Sequence, residues 1–181
     1  SRSDMDAILQ SAASFKQQRG RDPRQPLAGQ TWAMIFAKSS TRTRVSFEVG
    51  IRELGGQVMF LSASDIQLGR GEPIKDTARV LGRMVHGVVI RTYGQSDVEE
   101  FARFSGIPTI NALTDEEHPC QVLADIFTFQ EKRGPIQGKV MTFAGDGRCN
   151  VANSWVFAAA KFGVELVIQA IFQHLPVGPA Q

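Results

Sequence analysis

Cysteine is scarce in this chain. Cys120 and Cys149 are the only two in 181 residues, too few for the disulfide framework that holds small secreted domains together. Each falls inside an expected helix start, so the expectation is a pair of reduced thiols in an intracellular protein. Histidine is scarce too: His86, His118 and His174, taken with those cysteines, make no zinc-ligand spacing, and no metal site is expected. A strong charge imbalance is missing. The net charge of +2 is too small to point to nucleic acid or an anionic membrane as partner. No apolar run approaches the roughly 20 residues of a membrane-spanning helix. The first six residues, Ser1 to Asp6, lack the apolar core of a secretory signal, while a cleaved organelle transit peptide stays open. No internal repeat or low-complexity tract is present.

What is present is a soluble globular pattern, 43% hydrophobic and 21% charged, long enough to bury a good core in one domain or in one domain plus part of another. Short apolar runs of strand length recur at 32–36, 57–61, 87–91, 107–111, 139–144 and 164–168. Helical patterns occupy 4–18, 44–54, 73–85, 96–106, 118–132 and 151–162. Strand alternating with helix predicts an α/β fold, a parallel sheet flanked by helices.

One stretch organises the rest. Trp32 to Phe36 is a strand, and Phe47, Ile51 and Leu54 mark one face of a helix. Between them lies Ser39-Ser40-Thr41-Arg42-Thr43-Arg44, a hydroxyl-rich turn at a helix start, where backbone N–H groups point outward. Two arginines stand where the helix dipole favours negative charge. Backbone donors, hydroxyls and a guanidinium converging there would receive a tetrahedral anion, most simply phosphate. The plainer reading is a Ser/Thr cap with solvated arginines. Glu48 lies one turn beyond Arg44 and can pair with it, which gives Arg44 a structural role. Nothing local answers the charge of Arg42.

Other polar residues fall at the carboxyl ends of the expected strands, the edge where open α/β sheets bind ligands. Gln67 lies in the loop after the second strand, Arg91 closes the third, His118 follows the fourth and Asn150 the fifth. Arg91 could equally be an ordinary strand-end arginine. His118, ahead of Pro119 at a helix start, reads either as a cap or as a donor aimed into the crevice. The run Gly145-Asp146-Gly147-Arg148 invites a dinucleotide reading but has two of the three glycines required, and no acidic residue ends the next strand.

Ser40-Thr41-Arg42-Thr43-Arg44, followed by His118-Pro119-Cys120-Gln121-Val122-Leu123-Ala124-Asp125, resembles the aspartate/ornithine carbamoyltransferase family, from about Met5 to about Ile168. The resemblance implies carbamoyl transfer from carbamoyl phosphate to an amine, with no metal or organic cofactor. It implies that Ser40, Thr41 and Arg42 hold the phosphate, and that Thr43, Arg91 and His118 stabilise the carbamoyl oxygen. It implies that Gln121 binds the carbamoyl amide and that Gln67 completes a neighbouring subunit's site in a homotrimer or a multiple of one. Gln67 and Cys120 match the ornithine branch, implying the δ-amine of L-ornithine as acceptor and L-citrulline and phosphate as products. By the same resemblance Asn150 meets the ornithine backbone, with Asn153 the neighbouring alternative. Aspartate or putrescine as acceptor, or a catalytically incomplete fragment that binds carbamoyl phosphate or assembles with partners, are the other readings. The compartment implied is the cytoplasm, or alternatively the mitochondrial matrix.

The loop from Gly134 to Gly138 is the expected domain boundary. Residues 1–136 would form the carbamoyl phosphate domain and 137–181 the start of an amino-acid-binding domain, too short to complete it. The tail from Gln169 to Gln181 departs from the family pattern.

Overall fold

A computed structural model describes residues 1–21, 24–62 and 72–170. Gln67 and the tail beyond Ala170 therefore lie outside the described residues. Six helices and six strands alternate along the described chain: α1 (Arg2–Gln17), β1 (Thr31–Phe36), α2 (Thr41–Glu53), β2 (Gln57–Ser62), α3 (Ile74–Leu81), β3 (Gly87–Arg91), α4 (Gln95–Ser105), β4 (Thr109–Leu113), α5 (Pro119–Arg133), β5 (Val140–Gly145), α6 (Asn150–Phe162) and β6 (Glu165–Ala170). Every strand pairing is parallel. Four strands form one sheet in the order β2-β1-β3-β4, and β5 and β6 form a second. The α/β expectation holds.

Alternation along the two central strands explains why helices cover both faces. Ala33 and Ile35 of β1, with Val88 and Ile90 of β3, pack against Ala78 of α3 and Val98 and Phe101 of α4. The intervening Met34, Phe36 and Val89 face Ile51 of α2 on the other side. Strands buried on both faces read as continuous apolar runs, which is the pattern of parallel sheets. A third cluster joins Leu9 of α1, Val122 and Ile126 of α5, and Trp155, Ala158 and Phe162 of α6. Ile136, in the Gly134–Gly138 connection, belongs to this cluster and is 3% exposed.

Several boundaries differ from the sequence expectation, three of them for evident local reasons. The fourth strand begins at Thr109, two residues later than expected, because Gly106 turns left-handed at φ 66° to end α4 and Pro108 has no N–H for a ladder. Helix α3 stops at Leu81, with Gly82 at its C-terminal cap. Helix α2 starts at Thr41, so Thr41, Arg42 and Thr43 are the first turn of the helix and not a link ahead of it. Among the described residues no helix is long and apolar enough to cross a membrane.

Candidate functional site

Ser40 caps α2. Its Oγ accepts the Thr43 backbone N–H at 3.3 Å and donates to Thr43 Oγ1 at 2.9 Å. The Arg44 N–H reaches the Ser40 carbonyl, and the helix supplies no acceptor for the N–H groups of Thr41 and Arg42. Those two donors, with the dipole behind them, leave an anion-receptive helix start.

Arg91 enters from β3. Its neighbours on the strand are buried, and a register shift between Ile90 and Arg91 sets Arg91 opposite Leu113 of β4. Such a bulge bends a strand and re-aims a side chain. The Arg91 Nη1 donates to Thr43 Oγ1 across 3.5 Å, a long contact, and its Nε is buried without a partner among the described residues. Burial lowers the pKa of the guanidinium from its ordinary value, although an arginine stays charged.

His118 is the N-cap residue of α5, with Pro119 at the first helical position. Its backbone N–H donates to Ser154 Oγ of α6 at 2.7 Å, fixing the main chain at this corner. The ring Nδ1 is buried with no hydrogen-bond partner among the described residues. Burial lowers the ring's pKa from its usual value; the Arg91 charge lowers it further, and Asp125 opposes. The imidazole is therefore held towards its neutral form, able to donate from one nitrogen.

These groups meet in one open cleft of about 510 Å³ at the carboxyl edge of the four-stranded sheet. Ser40, Arg42, Thr43, Arg91, His118 and Gln121 all line it. Ser46, Phe47, Leu113, Cys120 and Ala124 complete the wall; the sequence patterns place Phe47 on the apolar face of the helix and assign none of the five a role in binding. Helical spacing from Arg42 and Thr43 would have indicated Ser46 and Phe47. Burial pushes the Cys120 thiol up to about 11, which keeps it protonated and unsuited to nucleophilic attack. The Gln121 amide donates to Asp125 one turn on, at 2.8 Å.

Not every expected residue joins this cleft. Thr41 lines a separate depression beside Phe60 and Ser62. Asn150 is tied elsewhere: its Nδ2 donates to the Thr114 carbonyl at 2.7 Å. Asn153 does likewise to the Glu116 carbonyl at 3.1 Å. Arg44 has the structural place expected of it, 3.8 Å from Glu48 and stacked 3.6 Å from the Phe60 ring centroid. The Arg42 carbonyl accepts from the Ser46 hydroxyl at 2.7 Å, while its guanidinium has no hydrogen-bond or ion-pair partner among the described residues.

Comparison with known proteins places this geometry. A family model described as "Aspartate/ornithine carbamoyltransferase, carbamoyl-P binding domain" matches residues 1–131. An ornithine carbamoyltransferase of Akkermansia muciniphila is 67% identical over 165 residues, covering 90% of this chain and 54% of that protein. The crystal structure of ornithine carbamoyltransferase from Burkholderia thailandensis superposes with a TM-score of 0.90 at 47% identity, covering 94% of this chain and 59% of that one. The enzyme from Pyrococcus furiosus gives a TM-score of 0.89 at 47% identity, covering 94% and 54%. The chain thus spans about half the length of the curated relatives it matches.

Proposed function

Since the chain belongs to the aspartate/ornithine carbamoyltransferase family through its carbamoyl-phosphate-binding domain, we propose that it serves carbamoyl transfer from carbamoyl phosphate to the δ-amine of L-ornithine. The neutral amine attacks the carbamoyl carbon and a C–N bond forms. The carbonyl π electrons move onto oxygen, then return as the C–O bond to phosphate breaks. Phosphate leaves with the bonding pair, the nitrogen loses a proton, and citrulline remains.

The observation that carries this reading is the convergence, in one cleft, of an anion-receptive helix start with two cations and a histidine. Arg42 and the free N–H groups of the first turn hold the phosphate, with Ser40 and Thr43 beside them. Thr41 takes part through its backbone N–H, since its side chain lines a different depression. Arg91, His118 and Thr43 face the carbamoyl oxygen, where negative charge develops, and stabilise it there. The Gln121 amide exchanges Asp125 for the carbamoyl group. Gln67 is assigned to the site of a neighbouring copy, in a homotrimer or a multiple of one. Residues 1–136 form the carbamoyl phosphate unit and 137–181 begin the acceptor unit, in a protein of the cytoplasm or the mitochondrial matrix.

Asn150 supports a second reading. As the one residue assigned to the acceptor, it is occupied by the Thr114 carbonyl, which fits binding of carbamoyl phosphate without transfer. Citrulline formation from carbamoyl phosphate and ornithine, with aspartate and putrescine in parallel, separates the readings. Ornithine-dependent turnover supports transfer; turnover with aspartate alone overturns the acceptor. Carbamoyl phosphate binding without turnover supports the second reading.

A further inference from the structure

The cleft is assembled from three segments of the sheet edge. The β1–α2 segment brings Ser40, Arg42 and Thr43, the end of β3 brings Arg91, and the β4–α5 segment brings His118 and Gln121. Strand β3 lies between β1 and β4, so it is bonded to both: the Ala37 N–H donates to the Arg91 carbonyl at 2.8 Å, and the Thr92 N–H to the Leu113 carbonyl at 3.0 Å. Strands β1 and β4 share no ladder. Among the described residues the backbone pairing therefore links the anion-binding turn to the histidine only by way of β3.

Lys38 spans that gap. It lies two residues ahead of Ser40, and its Nζ donates to Asp115 Oδ1 on the β4–α5 segment. The same ammonium sits 4.5 Å from the centroid of the Tyr93 ring, which follows β3. Asp115 is itself held by its N–H, which donates to the Tyr93 carbonyl at 2.8 Å. One side chain thus touches all three segments. Among the described residues, Lys38 to Asp115 is the only hydrogen bond or ion pair between the 37–40 and 114–118 segments. The Lys38 side chain is 21% exposed and that of Asp115 61%, so solvent screens the pair from the aspartate side and the joint owes its hold to the ring and backbone contacts as well as to charge.

We infer that Lys38, through Asp115 and Tyr93, is a positioning residue that holds the anion-binding turn of α2 at a fixed distance from His118. The inference rests on the reading of the cleft as a carbamoyl phosphate site. A displacement of either segment would open the donor set, and donors work only where they are aimed. Lys38 does not line the cleft; it acts through the segments it joins.

The test uses three variants: Lys38→Met, which keeps the stem and removes the charge, Asp115→Asn, and the two combined. Carbamoyl phosphate binding is measured by calorimetry, and amide exchange of Asp115, Glu117 and His118 is measured without ligand. Either single change should weaken binding by about five- to tenfold, a factor equivalent to roughly 1 kcal/mol. The double variant should be no worse than either single one. Exchange at the three amides should quicken in each variant, and Lys38→Arg should restore both properties. If Lys38→Met weakens binding while Asp115→Asn does not, Lys38 is a direct ligand and the positioning role is wrong. Equal binding and exchange in all variants overturns it too. Absence of binding by the unsubstituted protein overturns the site reading and the positioning role together, which distinguishes that failure from the others.

Discussion

Ser40 and Thr43 are joined twice across the first turn of α2: Thr43 N–H to Ser40 Oγ at 3.3 Å, and Ser40 Oγ–H to Thr43 Oγ1 at 2.9 Å. The first bond is a helix cap. The second leaves the Thr43 hydroxyl proton free to point elsewhere, because its oxygen is already accepting. Arg91 adds a second donor towards the same oxygen at 3.5 Å. A serine that only capped a helix would not also organise a threonine and an arginine at the floor of a cleft.

Ser40→Ala removes both bonds. Loss of the cap should cost about 1 kcal/mol of stability, read as a lower midpoint in urea with an unchanged slope. Carbamoyl phosphate binding should weaken as well. Ser40→Asp supplies a cap and should recover the stability, but it places a negative charge at the anion site and should abolish binding. Recovery of both by Asp would detach the cap from the site.

His118 gives a pH signature. Burial first, and then the Arg91 charge, lower its pKa from the usual 6.5. The unfolded chain then binds more protons than the folded one below that value. His118 therefore contributes stability fully present above about pH 6.5, lost as pH falls from there through the lowered folded value. The ring's NMR titration midpoint should lie below 6.5, and Arg91→Ala should move it up. A midpoint at or above the ordinary value, unmoved by Arg91→Ala, would contradict the placement of the two residues.

Packing of α3 on α4 rests on Gly82. A Cβ there would stand 2.1 Å from the Ser105 carbonyl oxygen, a backbone atom that cannot swing away. Gly82→Ala should destabilise the protein by about 1–3 kcal/mol. Gly50, inside α2, has nothing within 4 Å of the same position. Gly50→Ala should therefore stabilise by about 0.5–1 kcal/mol through helix propensity. Thermal melts of the two variants check the opposite signs.

Much of this was legible in the sequence, for identifiable reasons. The β1 run, the Ser40 cap and the Pro119 helix start are local signals, and each fell within a few residues of its place. The convergence of Arg42, Arg91 and His118 followed from one rule about strand ends. What escaped was set by rotation and by distance in sequence. Each residue of a helix turns by about 100°, which puts Thr41 about 200° from Thr43, and it lines the depression beside Phe60 instead. The Asn150 bond to the Thr114 carbonyl crosses 36 residues, and Lys38 reaches Asp115 across 77. No local pattern encodes either. The cluster of α1, α5 and α6 likewise brings together residues as far apart as Leu9 and Phe162.

Calorimetric titration with carbamoyl phosphate tests the cleft as a carbamoyl phosphate site most directly. The unsubstituted chain should bind one equivalent. Arg42→Ala and Arg91→Ala should each weaken binding by about ten- to a hundredfold, the worth of a hydrogen bond to a charged group. Arg44→Ala, which loses only its Phe60 and Glu48 contacts, should leave affinity unchanged. Undiminished binding in both Arg42→Ala and Arg91→Ala, or an equal loss in Arg44→Ala, would contradict the assignment.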